Sequence, residues 1–319
     1  MPVDGSDEPV GLLGAGTIGG GWAATYLVRR RPVLVVDPAA SALERVTAYL
    51  ETVWPSVRRT VPEAPASVPL DLLRLVPVED LGEAALVHEN VPESLEAKQD
   101  AYRCIEAAVA PHIPILSSSG GLMPSELQAR MEHPERLVVA HPQSPVYALA
   151  LVEILAGKAT SPDVVAAVLS HLTALGKRPV LLHREMAGYL TNRLTFAMLR
   201  EAVHLLAEGV VDARGIEEAV VYGITPRFLV GGPLTSLALA GGPDGMRGAM
   251  RSFAPTIEKW WSDLGAPHLD EDVRDRLVAA ADEILDGRPI AEVLAARDAA
   301  VVDALPLHRA GERTGDTGA

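Results

Sequence analysis

The 319 residues carry 42 Asp and Glu against 28 Lys and Arg, a formal charge of −14, and no basic arm offsets it, so nucleic acid is not expected as a partner. Hydrophobic residues make up 48% and aromatic ones 4%, so the cores must be built mainly from Ala, Val and Leu. The length favours two domains; no apolar stretch approaches the roughly 20 residues of a membrane span, and the N-terminus is acidic with no signal-peptide core, so a cytoplasmic protein with no membrane contact is expected.

Val10-Gly11-Leu12-Leu13 reads as a short buried strand running into Gly14, followed by a helical period up to Arg29-Arg30-Arg31, where cations suit the carbonyl end of a helix. Pro32 to Asp37 is a second apolar strand ending on an acid, which completes a βαβ unit. A helix is predicted over Ser41–Val57, then a Pro-rich connector from Pro55 through Pro69 with possible helical turns. Leu86 to Asn90 reads as a strand end, Leu95 to Val109 as a helix and Pro114 to Ser117 as another strand. Cys104 is expected to be buried in that helix; as the sole cysteine it can form neither an internal disulfide nor a thiolate metal cluster, which fits a reducing compartment and no metal. Strands over Leu137–His141 and Leu149–Ile154, a helix over Pro162–Leu175 and a strand over Arg178–Leu182 follow. Beyond Arg184 only helical patterning remains, punctuated by Gly/Pro turns. The expectation is an α/β protein: a Rossmann-type doubly wound domain over residues 1–185, then an all-helical substrate and dimerisation domain over 186–319, with a disordered tail after about residue 311.

Gly14-Ala15-Gly16-Thr17-Ile18-Gly19 has the G-x-G-x-x-G spacing directly after a strand and at the opening of a helix. The first Gly permits the tight turn, the second lets backbone approach a pyrophosphate, and the third permits close helix–strand packing. Free amides at the helix start then meet the phosphates. The spacing alone is shared with flavin and other nucleotide proteins. Asp37 adds discrimination: 23 residues after Gly14, it stands where a carboxylate accepts both ribose hydroxyls and repels a 2′-phosphate, so NAD is expected rather than NADP.

His141 follows an apolar strand, and Glu153 lies 12 residues on inside a second one. A Glu in the run Leu151-Val152-Glu153-Ile154 is expensive to bury without a partner, and an imidazole is such a partner. A carboxylate bonded to one ring nitrogen leaves the other to exchange a proton with a substrate alcohol. Spacing alone leaves two readings open, a functional pair or two unrelated residues.

The segments GAGTIGGGWA, HENVPESLEAKQ, HPERLVVAHP, LVEI, AGYLTNRL, REAVHLLAEGVV, GGPLT and AGGPDGM, in this order from Val10 to at least Trp261, resemble the 3-hydroxyacyl-CoA dehydrogenase family. The likeness is to the branch that contains carnitine dehydrogenase, gulonate dehydrogenase and lambda-crystallin. The resemblance implies that His141 is the general acid/base, Glu153 its orienting carboxylate and Asn192 a polar contact to the substrate or to the His. It implies nicotinamide-side cofactor contacts for Glu93 and Lys98, a substrate carboxylate or thioester contact for Arg227, and a homodimer. Trp260 and Trp261 are expected to serve packing.

Two places depart from the family pattern. Where the family usually carries a serine near the substrate hydroxyl, this chain has Gly120, with Ser119 one position earlier. Where it usually reads H-P-F-N-P, this chain reads His141-Pro142-Gln143-Ser144-Pro145, so Gln143 or Ser144 must replace the family's polar contact. Losing one positioned donor commonly costs about 10²–10³ in rate, so these changes are expected to alter substrate choice, and the smaller side chains enlarge the pocket. The expected activity is NAD-dependent interconversion of a secondary 3-hydroxyl and a 3-oxo group on a 3-hydroxyacyl thioester or a small 3-hydroxy acid. Two alternatives stand beside it: a tailoring ketoreductase on a bulkier biosynthetic intermediate, and an NAD-binding structural or sensor protein without turnover.

Overall fold

The computed structural model describes residues 8–229 and 231–313. The chain divides into two compact units, residues 1–193 and 194–319. The first holds eight strands: β1 (Val10–Leu13), β2 (Val33–Val36), β3 (Leu73–Leu75), β4 (Leu86–Glu89), β5 (Ile115–Ser117), β6 (Leu137–Pro142), β7 (Leu151–Ala156) and β8 (Arg178–Leu182). They form one sheet in the order β3-β2-β1-β4-β5-β6-β7-β8. Neighbours run parallel except β6 and β7, which are antiparallel. The strand order reverses between β1 and β4, and ligands of open α/β sheets bind outside the carboxyl ends of the strands at such a switch point.

The helices of this unit are α1 (Thr17–Leu27), α2 (Ala42–Thr60), α3 (Leu95–Ala108), α4 (Pro124–Leu127), α5 (Pro162–Ala174) and the start of α6 (Thr191–Ala207). Local chemistry starts them where it should: the Ser94 hydroxyl accepts from the Ala97 amide, and Ser161 accepts from Asp163 just before Pro162. Such caps typically contribute about 1 kcal/mol each. The core on one sheet face gathers Leu34, Val87, Ile115, Leu137 and Leu155 with Tyr102 and Ile105 of α3, all fully buried. Each aliphatic side chain of this kind contributes about 1.5–3 kcal/mol by leaving water. β1 is buried along its whole length, which is why it reads as a continuous apolar run rather than as alternation.

The regular structure among the described residues of the second unit is helical: the rest of α6, then α7 (Ala213–Glu218), a π-helical turn over Ala219–Ile224, α8 (Thr225–Phe228), α9 (Pro233–Ala240), α10 (Gly245–Asp263), α11 (Glu271–Leu285) and α12 (Ile290–Arg313). Asp212 caps α7 and Asp270 caps α11. The Glu201 carboxylate accepts from the Gly265 amide and Arg276 donates to the Ala207 carbonyl, tying α6 to its neighbours.

Several expectations need correction. α2 continues past Pro55 to Thr60, and Trp54 Nε1 donates to the Pro65 carbonyl, folding the Pro-rich connector back on the helix. The edge strand β3 was not foreseen, because three residues with Arg74 exposed give too short a pattern. Cys104 is exposed, since α3 turns Lys98, Ala101, Tyr102 and Ile105 to the core and Arg103 and Cys104 outward. Trp260 and Trp261 expose 62% and 68% of their surface in the chain rather than packing. The tail expected to be disordered lies, from residue 314 on, outside the described residues, while α12 runs to Arg313.

Candidate active site

The glycine turn leaves β1 at Gly14, whose φ of +97° an L side chain rarely adopts and whose added Cβ would stand 2.8 Å from the Asn90 carbonyl oxygen. A Cβ on Gly19 would fall 2.0 Å from the Gly14 carbonyl oxygen, so only glycine lets α1 start this close to the strand. Gly16 differs: nothing lies within 4 Å of its added Cβ, and both it and Thr17 are exposed. No side chain caps the first amides of α1, which with Thr17 and Ile18 form a backbone cradle open to an anion. Asp37 follows β2 and is pinned in place: Oδ2 accepts from the Ala15 amide and Oδ1 from the Ala39 amide, each at 2.9 Å. Each oxygen retains a lone pair for a ribose hydroxyl. Arg45 stands 3.6 Å from Oδ1. An open amide cradle one turn from a fixed carboxylate fits the pyrophosphate and adenosine ribose of NAD.

At the end of β4, the fully buried Glu89 accepts from Lys98 Nζ at 2.8 Å and also from Tyr102, Ser117 and the Val91 amide. Lys98, expected at the cofactor, is buried; its ammonium also meets the Val91 carbonyl and lies 3.5 Å from Glu93. Glu93 plugs the turn after β5: its Oε1 accepts from the Ser119 hydroxyl at 2.6 Å and from the Gly120, Gly121 and Leu122 amides. Burial alone raises the Glu93 pKa, but these donors and Lys98 outweigh it and hold the carboxyl below its ordinary value. Glu89 was not singled out in the sequence; the signal was an acid closing the strand that starts at Leu86-Val87.

His141 and Glu153 face each other across the antiparallel pair, with His141 Nδ1 2.7 Å from Glu153 Oε2. Glu153 is fully buried and also accepts from the Thr191 hydroxyl on Oε2 and from the Leu190 and Thr191 amides on Oε1. Four donors use about four acceptor sites, so the group is an ionised carboxylate and Nδ1 carries the imidazole proton. Burial pushes the Glu153 pKa up, yet the bonds from His141, Thr191 and Leu190 prevail and hold it low. His141 Nε2 is left as the ring's open nitrogen. It lies 3.3 Å from where a Cβ on Gly120 would stand, and Asn192 Nδ2 donates to the Gly120 carbonyl at 2.8 Å. Thus His141, Glu153, Asn192 and Gly120 converge on one point.

The other substrate candidates are engaged by other partners or are exposed. Ser119 is fully buried between Glu93 and Tyr189. Gln143 donates to the Thr191 hydroxyl, and Ser144 is exposed. Arg227 is an exposed residue of the second unit, with Nε on the Gly223 carbonyl. Sequence reasoning missed Thr191, Leu190 and Tyr189, although they lie inside the motif AGYLTNRL that brought Asn192 to notice.

A Rossmann-type sheet with a glycine turn at its switch point, a carboxylate fixed at the end of β2 and an imidazole–carboxylate pair is the framework of an NAD-dependent oxidoreductase of CH–OH groups. The family model for the NAD-binding domain of 3-hydroxyacyl-CoA dehydrogenase matches residues 9–186, and that for its C-terminal domain matches residues 188–278. The chain belongs to the 3-hydroxyacyl-CoA dehydrogenase family. L-carnitine dehydrogenase of Streptomyces coelicolor is 37% identical over 93% of each chain. That of Pseudomonas aeruginosa is 38% identical over 90% of this chain and 89% of its own. Among solved structures, 5-formyl-3-hydroxy-2-methylpyridine 4-carboxylic acid 5-dehydrogenase, an NAD+ dependent dismutase, superposes with a TM-score of 0.82 at 25% identity, covering 95% of this chain and 99% of the other. (S)-3-hydroxybutyryl-CoA dehydrogenase from Ralstonia eutropha does so with a TM-score of 0.63 at 27% identity, covering 77% and 86%. Among the described residues no helix is long and apolar enough to cross a membrane, and no cluster of His, Cys, Asp and Glu is arranged to hold a metal.

Proposed function

We propose that this dehydrogenase oxidises the 3-hydroxyl of a small free 3-hydroxy acid, the class to which the carnitine of its relatives belongs, and that His141 is its acid/base. The observation that carries the reading is the fourfold-held Glu153 beside an imidazole whose Nε2 faces the gap left by Gly120. Gly14, Gly16, Thr17, Ile18 and Gly19 hold the pyrophosphate and Asp37 the ribose, with Glu93 and Lys98 shaping the nicotinamide end. NAD bound there supplies the acceptor for the hydride that leaves C3. His141 Nε2 takes the hydroxyl proton as C3 becomes a carbonyl, and Glu153 stabilises the imidazolium formed. Asn192 fixes the Gly120 carbonyl and keeps the turn at the distance that an alcohol between it and His141 needs.

Gly120 favours a second reading on its own: with no side chain between the turn and Nε2, the site accepts a bulkier intermediate, as a tailoring ketoreductase requires. A catalytically silent NAD-binding role is disfavoured by the complete His141–Glu153–Asn192 set. We also infer a homodimer in the cytoplasm, with the functional division at residues 185/186. Exposed Leu234, Leu239, Trp260 and Trp261 in the helical unit support self-association.

NADH absorbance with L-carnitine, other free 3-hydroxy acids and their CoA thioesters tests the proposal. Turnover of a free acid in preference to its thioester is expected. Faster turnover of short 3-hydroxyacyl-CoA than of any free acid would overturn the substrate class, and no NADH from any of them would overturn the reading as a whole.

A further inference from the structure

Thr191, the first residue of α6, has one hydroxyl hydrogen and two polar neighbours. Glu153 Oε2 lies 2.8 Å from its oxygen and Gln143 Nε2 lies 3.0 Å from it. The Gln143 amide nitrogen can only donate, so it fills a lone pair of Thr191 and leaves the hydroxyl hydrogen to Glu153. Turned the other way, the Gln143 carbonyl would compete for that same hydrogen, and Glu153 would lose a donor. The order therefore runs from the Gln143 amide to the Thr191 hydroxyl to Glu153, which His141 meets from the other side through Nδ1.

We propose that Gln143 and Thr191 are positioning residues that set the direction of this chain, so that Glu153 stays a carboxylate shared among four donors and holds the Nδ1 proton of His141 only strongly enough to leave Nε2 free to act as base. The proposal rests on His141 being the base and adds what holds it in that form. Neither residue needs to touch substrate. Gln143 is half-buried on the segment that carries His141, and Thr191 supplies both its amide and its hydroxyl to Glu153. Thr191 therefore couples the loop after β6 to the start of α6. The other titratable groups near the pair are accounted for. Tyr189 meets the His141 ring edge-on at 5.5 Å between centroids, Glu93 is engaged by Ser119, and Glu185 is engaged by Ser125. None of them contacts the Gln143–Thr191 link through a hydrogen bond given by the structure.

The test reads the imidazole directly. In nitrogen-resolved NMR of the full chain, with the His141 signal identified by its loss in His141→Gln, the wild type is expected to hold a single Nδ1–H tautomer. Thr191→Val removes the donor to Glu153, and Gln143→Glu places a carboxylate that draws the Thr191 hydrogen away from it. Both are expected to move the Nδ1 proton downfield, because a carboxylate short of one donor draws that proton more strongly, and Thr191→Ser is expected to restore the wild-type signal. With a turned-over 3-hydroxy acid, both variants should lose about 10- to 100-fold in kcat with the KM for NAD unchanged. The acid limb of their kcat/KM profile should move to higher pH, because a carboxylate short of one donor holds an imidazolium more tightly. An unaltered Nδ1 proton signal in both variants would overturn the proposal whatever the activity. A downfield shift in both variants of a chain that turns over no substrate would instead support it while removing the dehydrogenase reading.

Discussion

His141 and Glu153 are direct cross-strand partners in the one antiparallel pair of the described sheet, and 2.7 Å separates the ring nitrogen from the carboxylate. A pair set by strand register is fixed by the backbone of two strands rather than by a mobile loop, so its geometry survives changes on either side. What it cannot survive is a change in proton inventory.

Glu153→Gln makes that change. The site presents four hydrogen donors to residue 153, and an amide can accept only through its oxygen. Either its NH₂ faces donors, or His141 shifts its proton to Nε2 and ceases to be a base. We expect kcat to fall about 10²–10⁴-fold with NAD affinity retained, measured by steady-state kinetics and by cofactor titration. Glu153 is held below the ordinary carboxylate value, so the wild type gains stability from its ionised form above that value and loses it as pH falls through the depressed one. The variant should lack that acid-side slope in denaturant unfolding. Unchanged kcat would dissociate the pair from catalysis.

Gly120→Ser tests what the gap beside His141 is for. Its Cβ would stand 3.3 Å from Nε2, a tight contact that a small shift of the ring absorbs, and Gly120 does not sit in the left-handed region. The added hydroxyl supplies a donor at the reacting oxygen while filling space. The ratio of kcat/KM for a short 3-hydroxyacyl-CoA to that for the preferred free acid should rise by at least about tenfold, a modest share of what one positioned donor can contribute. A ratio that stays put would mean that Gly120 does not select substrate.

Asp37→Ala addresses the choice of cofactor. It deletes the acceptor for the ribose hydroxyls but leaves Arg45, still donating to the Ser41 hydroxyl and no longer facing a carboxylate, to meet a 2′-phosphate. NAD binding is expected to weaken and NADP binding to strengthen, followed by titration of the chain's fluorescence with each. The Ala15 and Ala39 amides also lose their acceptor, so the NAD loss should exceed that of a surface acid. If NADP stays excluded, Asp37 is not what repels it.

The sheet, its switch point and the glycine turn were legible because each writes a local pattern: short apolar strands, a helical period, glycines at fixed spacing. The residues of the His141–Glu153 pair were visible as types, but their meeting depended on a register that no spacing specifies. The family likeness supplied it. Less of the surrounding shell could be read. Thr191 and Leu190 act largely through backbone amides, which carry no sequence signature, and Ser119 turns from the cleft because Glu93 and Tyr189 claim its hydroxyl. Cys104 and the tryptophans of α10 show the opposite failure, where a residue type suggests burial and the helix phase decides otherwise.

Lys177 makes stability depend on pH in a direction opposite to an ordinary buried acid. It precedes β8, is buried over the Trp22 ring, and donates to the carbonyls of Val146 and Leu149 in the segment between β6 and β7. Burial, with a smaller push from Arg29, brings its pKa down to about 7 from an ordinary 10.5. Between those values the unfolded chain binds a proton that the native chain does not, so stability rises with pH across the window. Below it both states are charged and the full cost of burial, a few kcal/mol at most, remains. The buried phenols of Tyr26 and Tyr102 are pushed upward by burial, so they reverse the trend only above about pH 10. Urea midpoints at about pH 7 and about pH 9 should therefore differ in the wild type, with the higher one at alkaline pH. Lys177→Met cannot titrate and should show a flatter dependence. Equal slopes in the two proteins would show that Lys177 keeps its proton in the folded chain.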